Sequence, residues 1–513
     1  MFAKFHRLPK STWVAMLCAA CLVFSSVYSK AQDAAPSATQ NGEVKLQLSK
    51  QTLQNGLRVV LAPDRTSPTV AIAVVYDVGS RNEERGKTGL AHLFEHLMFQ
   101  GSKQVKKGEH SALITSRGGT ANAITTADRT TYFQVLPSNE LALGLWLEAD
   151  RMTSLDLTQE NLDNQRKVIA EEYRSKVSNV PYAHGALRLT EILYQGYAPY
   201  DHSEYGSLVD LDQADLAIVK DFQAKYYGPN NAVLCIAGDF AEAEASALVK
   251  KYFEGISKIS TPSFTDPTPL VQTSPRSSTV KDEHADSPAL LFGYKTPKFG
   301  DSSLPALDLT AMILGAGESS RLYHLLVRDK GVAQDVSARL SPRRGPGFFE
   351  VDIKLTSKAD AAVVTSLVDT ALKDLAAKGP TADELTKVKR RATTQRLLSL
   401  QTNLARARAL ADRELFLGDP TVLLSESALI AAVTADDIKS VVLTYLTSTK
   451  RTSVEIYPPA PPEPPKPAAA KSPPKSTQST PVQNTAPVDK KKAPSPPPLP
   501  KSAKKPTKKL GSP

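Results

Sequence analysis

The stretch Gly89-Leu-Ala-His-Leu-Phe-Glu-His-Leu-Met-Phe-Gln-Gly101 sets two histidines and a glutamate within five positions of an otherwise apolar run. So much Leu, Phe and Met reads as a buried helix. Three polar side chains inside it call for a chemical reason. On a helix, His92 and His96 stand at i and i+4 on one face, with about 5–6 Å between their Cβ atoms. That spacing lets two imidazoles reach one metal ion. Glu95 sits beside them, where a carboxylate can take a proton from a metal-bound water without being a ligand itself. His-x-x-Glu-His is also the mirror order of the His-Glu-x-x-His zinc pattern.

A hydrolytic zinc site needs a third protein ligand and an open position for water. The segment Thr158 to Ser175 reads as a helix whose apolar stripe is Leu162, Val168 and Ile169. At about 100° per residue, Glu172 points close to that stripe and Glu171 well away from it. Glu172 is therefore the candidate third ligand.

Around these motifs lies a chain of 513 residues with 41% hydrophobic content, enough for more than one domain with real cores. Residues 1–31 read as a secretory signal peptide: Lys4, Arg7 and Lys10, an apolar run from Trp13 to Phe24, then small residues, with cleavage after Ser29 or Ala31. Cys18 and Cys21 fall in that segment, leaving Cys235 alone in a strand-like apolar run. No intrachain disulfide is then expected, and Cys235 reads as a buried, inert thiol. Residues 458–513 read as a disordered, Pro/Lys-rich tail. From Pro459 onward, 17 of the 37 prolines and eleven lysines face only Glu463 and Asp489 as acids. The tail thus carries nine of the ten net positive charges, and the rest of the chain is nearly neutral. A nucleic-acid partner is not expected from such a distribution; a solvated spacer, or a tether to an anionic envelope surface, is. Together these features predict an exported protein, periplasmic or associated with the cell envelope.

Between signal and tail, residues 257–273 are rich in Ser, Thr and Pro and read as a linker. They separate an N-terminal domain, 45–256, from a C-terminal domain, 274–457. In the first, strands are expected after Gln54, over Thr69 to Val78, after Gly118, over Arg129 to Leu136 and over Ala232 to Ile236, with helices over Ser138 to Met152 and Thr158 to Ser175. In the second, strands are expected over Ala289 to Tyr294 and Gly347 to Leu355, with helices over Leu304 to Leu314 and Ser320 to Val327 and long helices after them. Strands and helices alternate in blocks, so the fold class is α+β, with a hint of duplication.

The pattern His92-x-x-Glu95-His96, followed 76 residues later by Glu172, resembles the pitrilysin/insulinase family of inverted-motif zinc peptidases. Gly89-Leu-Ala-His, Gly118-Gly-Thr-Ala-Asn-Ala, Trp146-Leu-Glu-Ala-Asp-Arg-Met152, Tyr227-Gly-Pro-Asn-Asn231 and the segment Gly315 to Leu322 are similar to family signatures. The likeness covers about residues 45 to 457. It implies two similar α/β-sandwich domains of the LuxS/M16-like metalloenzyme type, the first being the zinc-peptidase domain. It implies one Zn²⁺ per chain held by His92, His96 and Glu172, and Glu95 as general base of a peptide-hydrolysing endopeptidase. Asn122 and Ala123 are expected on an edge strand that pairs with an extended peptide substrate. Two positions depart from the family. Gln165 stands where several members carry an acid that orients the site, so weaker tuning is expected. Gln334 stands where many short members or their partner subunits place a substrate-gripping Tyr, with Arg328 as a nearby cation. The resemblance therefore implies a dimer, either of two copies or with a zinc-less M16-like sister subunit. The competing readings are a non-catalytic assembly or binding subunit, which usually loses the set His92, Glu95, His96 and Glu172, and an envelope-interaction protein acting through its basic tail.

Overall fold

The computed structural model describes residues 46–268 and 271–459. The segments read as signal peptide and as tail beyond Pro459 lie outside the described residues. Eleven described strands form two sheets.

The first sheet takes β1 (Ser49–Thr52), β2 (Arg58–Pro63), β3 (Thr69–Tyr76), β4 (Thr120–Thr125), β5 (Thr130–Pro137) and β6 (Ala232–Gly238) in the order β1-β2-β6-β3-β5-β4. Only the β2–β6 pair is parallel. β3 and β6 are buried along nearly their whole length, which explains why they read as continuous apolar runs rather than alternating ones. Successive residues point to opposite faces. Val70, Ile72, Val74, Leu234 and Ile236 pack on the helices Leu90–Leu97, Leu141–Thr153, Gln159–Tyr173 and Glu242–Phe253. Their neighbours Ala71, Ala73, Val75, Val233, Cys235 and Ala237 form the opposite face. Cys235 is free and fully buried, and burial pushes its thiol far up, out of reach of ionisation.

The second sheet takes β7 (Arg276–Lys281), β8 (Ala289–Thr296), β9 (Ala333–Ser341), β10 (Gly347–Leu355) and β11 (Thr452–Tyr457) in the order β7-β11-β8-β10-β9. Phe292, Tyr294, Phe349, Val351 and Ile353 lie in one core with the helices Leu304–Gly315, Ala361–Lys378 and Ala435–Tyr445. Here too one pair, β7–β11, is parallel.

The stretch 257–273 separates the strands of the two sheets, but packing crosses it in both directions. The second face of the first sheet is covered by the helix Asn403–Leu417 through Ala407, Leu410, Ala411 and Leu415. Asn403 Nδ2 fixes the start of that helix on Thr69 O at 3.0 Å. In exchange, the helix Ala183–Leu193 lays Leu189 and Ile192 on Leu291, Val454 and Ile456 of the second sheet. A side chain at Gly185 would collide with Ile456, so this close approach requires glycine.

A polar joint completes the link. Asp128 accepts hydrogen bonds from Arg81 at 3.2 Å, from the Tyr200 hydroxyl at 2.5 Å and from Arg344 N at 3.0 Å. The Arg343 guanidinium lies over the rings of Tyr194, Tyr200 and Phe348 at 4.8, 4.6 and 5.2 Å.

Two expectations need correction. Val168 is 42% exposed and does not belong to the buried stripe of its helix; the stripe is Leu162, Gln165 and Ile169, at helical spacing. The helix expected over Ser320 to Val327 is present from Arg321, but it is wound as a π-helix over Tyr323–Asp329 and reaches two residues further. The polar strands β1, β7 and β9 and the helix Ala183–Leu193 were not anticipated, because their burial depends on partners far along the chain.

The exchange makes a physical demand. Leu410 is fully buried, and Leu410→Ala is expected to cost about 2–5 kcal/mol in chemical denaturation. A fragment of residues 46–256 is expected to aggregate or stay unfolded by circular dichroism and gel filtration, while 46–459 unfolds in one transition. A soluble, cooperatively folding short fragment would contradict this packing.

Candidate metal centre

The helix Leu90–Leu97 begins at Gly89, whose φ of 89° suits glycine. Leu90, Ala91, Leu93, Phe94 and Leu97 are buried and seat it in the core. Its N-terminal N–H groups are met by Glu83: Oε2 accepts from Gly89 N and Oε1 from Ala91 N, each at 2.8 Å. Burial is the largest influence on Glu83 and pushes its carboxyl up to about 8, against the pull of those two N–H groups. The helix is thus fixed at its start, and His92, Glu95 and His96 project from it in fixed directions.

The second helix, Gln159–Tyr173, is capped by Thr158, whose hydroxyl accepts from Asn161 N at 3.2 Å. Glu172 continues the stripe of Leu162, Gln165 and Ile169 and so faces the first helix. Beyond Tyr173 the chain enters a π-helical turn, Arg174–Ser178. Lys176 in that turn donates to Glu172 Oε1 at 2.6 Å.

The two helices bring three ligand atoms, from His92, His96 and Glu172, within 4.8 Å of one another. Glu172 Oε2 lies 3.2 Å from His96 Nε2 and 3.8 Å from His92 Nε2. The imidazole planes stand 86° apart, with ring centres separated by 4.8 Å. Ligand atoms about 2.0–2.1 Å from a tetrahedral zinc lie about 3.3 Å from one another. Two nitrogens and a carboxylate oxygen at these separations therefore fit such an ion, and His₂Glu is a donor set of catalytic rather than structural zinc.

Electrostatics support the same fit. Burial, then the neighbouring His96, lowers His92 to about 4, so its imidazole is neutral and keeps a lone pair to offer. His96 Nδ1 lies 3.3 Å from Gln165 Oε1, a partner suited to the tautomer with its proton on Nδ1, the one that leaves Nε2 free for a metal. For Glu172 burial is the largest single influence and opposes charge, but Lys176 and the two imidazoles together hold it below the usual carboxylate range.

Glu95 sits beside the triad without joining it. Burial raises it to about 7, against a hydrogen bond from Thr125. Its Oε2 is buried and has no hydrogen-bond partner among the described residues. Thr125 lies on β4, the outermost strand of the first sheet, two residues from Ala123. Asn122 on the same strand is exposed, and β4 is bonded on one side only, to β5. Gln334 donates to Ser287 Oγ, just before β8, at 2.8 Å and to Leu355 O of β10 at 3.1 Å. Arg328 is exposed and pairs with Glu318 at 3.5 Å.

Four residues of the site escaped the sequence reading. Lys176 carried a signal, since Glu followed four residues later by Lys is a favoured helical pair. Glu83 carried a fainter one, an acid shortly before a helix start. Thr125 needed the strand pairing to be known. Tyr205, whose ring stands edge-on to His92 at 5.2 Å, arrives on a loop that nothing in the sequence connects to the site.

Comparison with known proteins agrees with this architecture. Residues 58–199 match the family model described as Insulinase (Peptidase family M16), and residues 213–392 match the Peptidase M16 inactive domain. Zinc protease PqqE of Helicobacter pylori is 35% identical over 287 residues, covering 55% of this chain and 64% of that protein, just under two thirds of its length. The uncharacterized zinc protease YmxG of Bacillus subtilis is 23% identical over 374 residues, covering 72% of this chain and 89% of that protein. Among solved structures, a protease from Helicobacter pylori superimposes with a TM-score of 0.75 at 29% identity, over 81% of this chain and 100% of that one. A peptidase M16 inactive domain from Pseudomonas fluorescens superimposes with a TM-score of 0.73 at 19% identity, over 82% and 100%, a likeness of fold. With both halves matched and His92, His96 and Glu172 inside the first match, the chain belongs to peptidase family M16, the insulinase family.

Proposed function

We propose that this protein is a zinc-dependent endopeptidase acting on peptides or unfolded polypeptides, with one zinc per chain held by His92, His96 and Glu172. The observation that carries the reading is the convergence of His96 Nε2, His92 Nε2 and Glu172 Oε2 from two helices, with the buried Glu95 beside them. Zinc, when bound in such a set, polarises a carbonyl oxygen and acidifies water. Glu95 is the general base: it takes a proton from a water as the water oxygen bonds to the peptide carbonyl carbon, the C–N bond then breaks, and Glu95 passes that proton to the departing amine. Gln165 holds the His96 tautomer and Lys176 holds Glu172. The free edge of β4, at Asn122 and Ala123, receives the substrate backbone as an added strand.

The reading of a non-catalytic subunit is less well supported. The second half, matched to an inactive domain, contributes no residue to the triad, but the first half keeps every one. On sequence grounds alone we also propose export to the cell envelope, a tail that meets anionic surfaces, and a dimeric assembly with a zinc-less sister subunit. N-terminal sequencing of the protein from fractionated cells and co-purification from the native source test these; an uncleaved cytoplasmic chain or a fully active homodimer would count against them.

Glu95→Gln is expected to keep full zinc content and lose about 10²–10⁴-fold in turnover of an unstructured peptide, whereas His96→Ala binds the metal far more weakly and holds it only at high zinc. Retained turnover in Glu95→Gln would sink the assignment. Glu83→Ala removes the fixed start of the metal helix and is expected to weaken zinc binding about 10–100-fold, read by competition with a chromophoric chelator. Unchanged affinity would mean that the helix is held in place without Glu83.

A further inference from the structure

Tyr205 stands against the metal centre and has no part in the chemistry described so far. Its ring lies 5.2 Å from that of His92, the planes at 85°, and 5.7 Å from that of Tyr173, the planes at 81°. The loop that carries it is fastened to the metal helix. Ser207 N donates to Thr88 Oγ1 at 2.9 Å, and the Thr88 hydroxyl donates to Asp210 at 2.7 Å. Gly206 has a φ of 61°, and a side chain there would collide with Gly89 N. A side chain at Gly89 would in turn meet Tyr205 O at 2.7 Å. Two glycines facing each other thus let the loop approach the start of the helix closely enough to set Tyr205 beside His92.

The Tyr205 hydroxyl makes no hydrogen bond among the described residues. A tyrosine hydroxyl keeps its proton at neutral pH and can donate, and the Tyr205 ring stands edge-on beside the imidazole of His92. Two neighbouring donors are engaged: Lys176 with Glu172 Oε1, and His96 Nδ1 with Gln165. Attack on a peptide carbonyl turns its oxygen into an anion, and a preorganised donor aimed at that oxygen lowers the barrier.

We propose that Tyr205 is a further catalytic residue, whose hydroxyl donates a hydrogen bond to the substrate carbonyl oxygen as that oxygen gains negative charge. This rests on the peptidase reading above. It supplies the stabilising donor from the first half of the chain itself, next to the ligand His92, rather than from the second half, where Gln334 is committed to Ser287 and Leu355.

Tyr205→Phe tests it, because the ring that packs on His92 is retained. The expected result is a fall in kcat of about 10–10³-fold, with KM within threefold and with zinc content and melting temperature unchanged. A peptide phosphinate, whose tetrahedral centre mimics the anion, should lose affinity in parallel. In a Glu95→Gln background, binding of the uncleaved peptide should not change on adding Tyr205→Phe. Unaltered kcat and phosphinate affinity would overturn the proposal, and so would loss of zinc, which would make the hydroxyl a prop for the site. Absence of zinc-dependent hydrolysis in the wild type would instead overturn the peptidase reading, and this proposal with it.

Discussion

Everything in this site depends on one closure: Glu172 Oε2 reaching within 3.2 Å of His96 Nε2 from a helix 76 residues further along the chain. Neither helix holds that geometry alone. The first is seated by its apolar side chains and fixed at its start by a buried carboxylate; the second is seated by Leu162 and Ile169. Both rest on the same face of the first sheet, so an error in the packing of β3 or β6 would move the ligands apart. A tight metal geometry of this kind is achieved by rigid elements with supported side chains, and the supports here are Gln165, Lys176, Thr125 and Glu83.

The sheet in turn depends on the second half. Its other face is small and apolar, made of Ala, Val and Cys, and the helix Asn403–Leu417 can approach it closely because it presents Ala407 and Ala411 there. The return exchange, with helix Ala183–Leu193 on the second sheet, follows directly from the π-turn after Glu172. The chain segment that carries Glu172 is therefore anchored at its far end to the other half. Tyr182, between the two, has a φ of 69°, the one positive value outside glycine among the described residues, and it donates to Asp282 from its N–H and to Asp286 from its hydroxyl, each at 2.6 Å. A backbone strained at such a position and pinned by two acids is consistent with a junction whose geometry is fixed rather than adaptable.

Much of this was legible in the sequence because it was local. Periodicity gave the helices that carry His92, His96 and Glu172, and apolar runs gave β3, β5, β6, β8 and β10. The i, i+4 spacing of the histidines and the inward direction of Glu172 are helix geometry, independent of anything else in the chain. The same logic failed at Val168, counted as core because it is apolar, while the polar Gln165 occupies the buried stripe to bond His96. Polar edge strands such as β7, with its Arg-Ser-Ser-Thr-Val-Lys sequence, carry too weak an alternation to stand out. The exchanged helices, the Asp128 joint and Tyr205 were illegible because each is defined by contacts between distant segments, which no window along the sequence contains.

The most direct test of the account is zinc K-edge X-ray absorption on the metal-loaded protein. The account predicts a first shell of nitrogen and oxygen at about 2.0–2.1 Å, with the outer-shell scattering of two imidazoles and no sulfur at about 2.3 Å. The imidazole signal should be halved in His96→Ala loaded at high zinc. A sulfur shell, or a spectrum indifferent to His96→Ala, would contradict it.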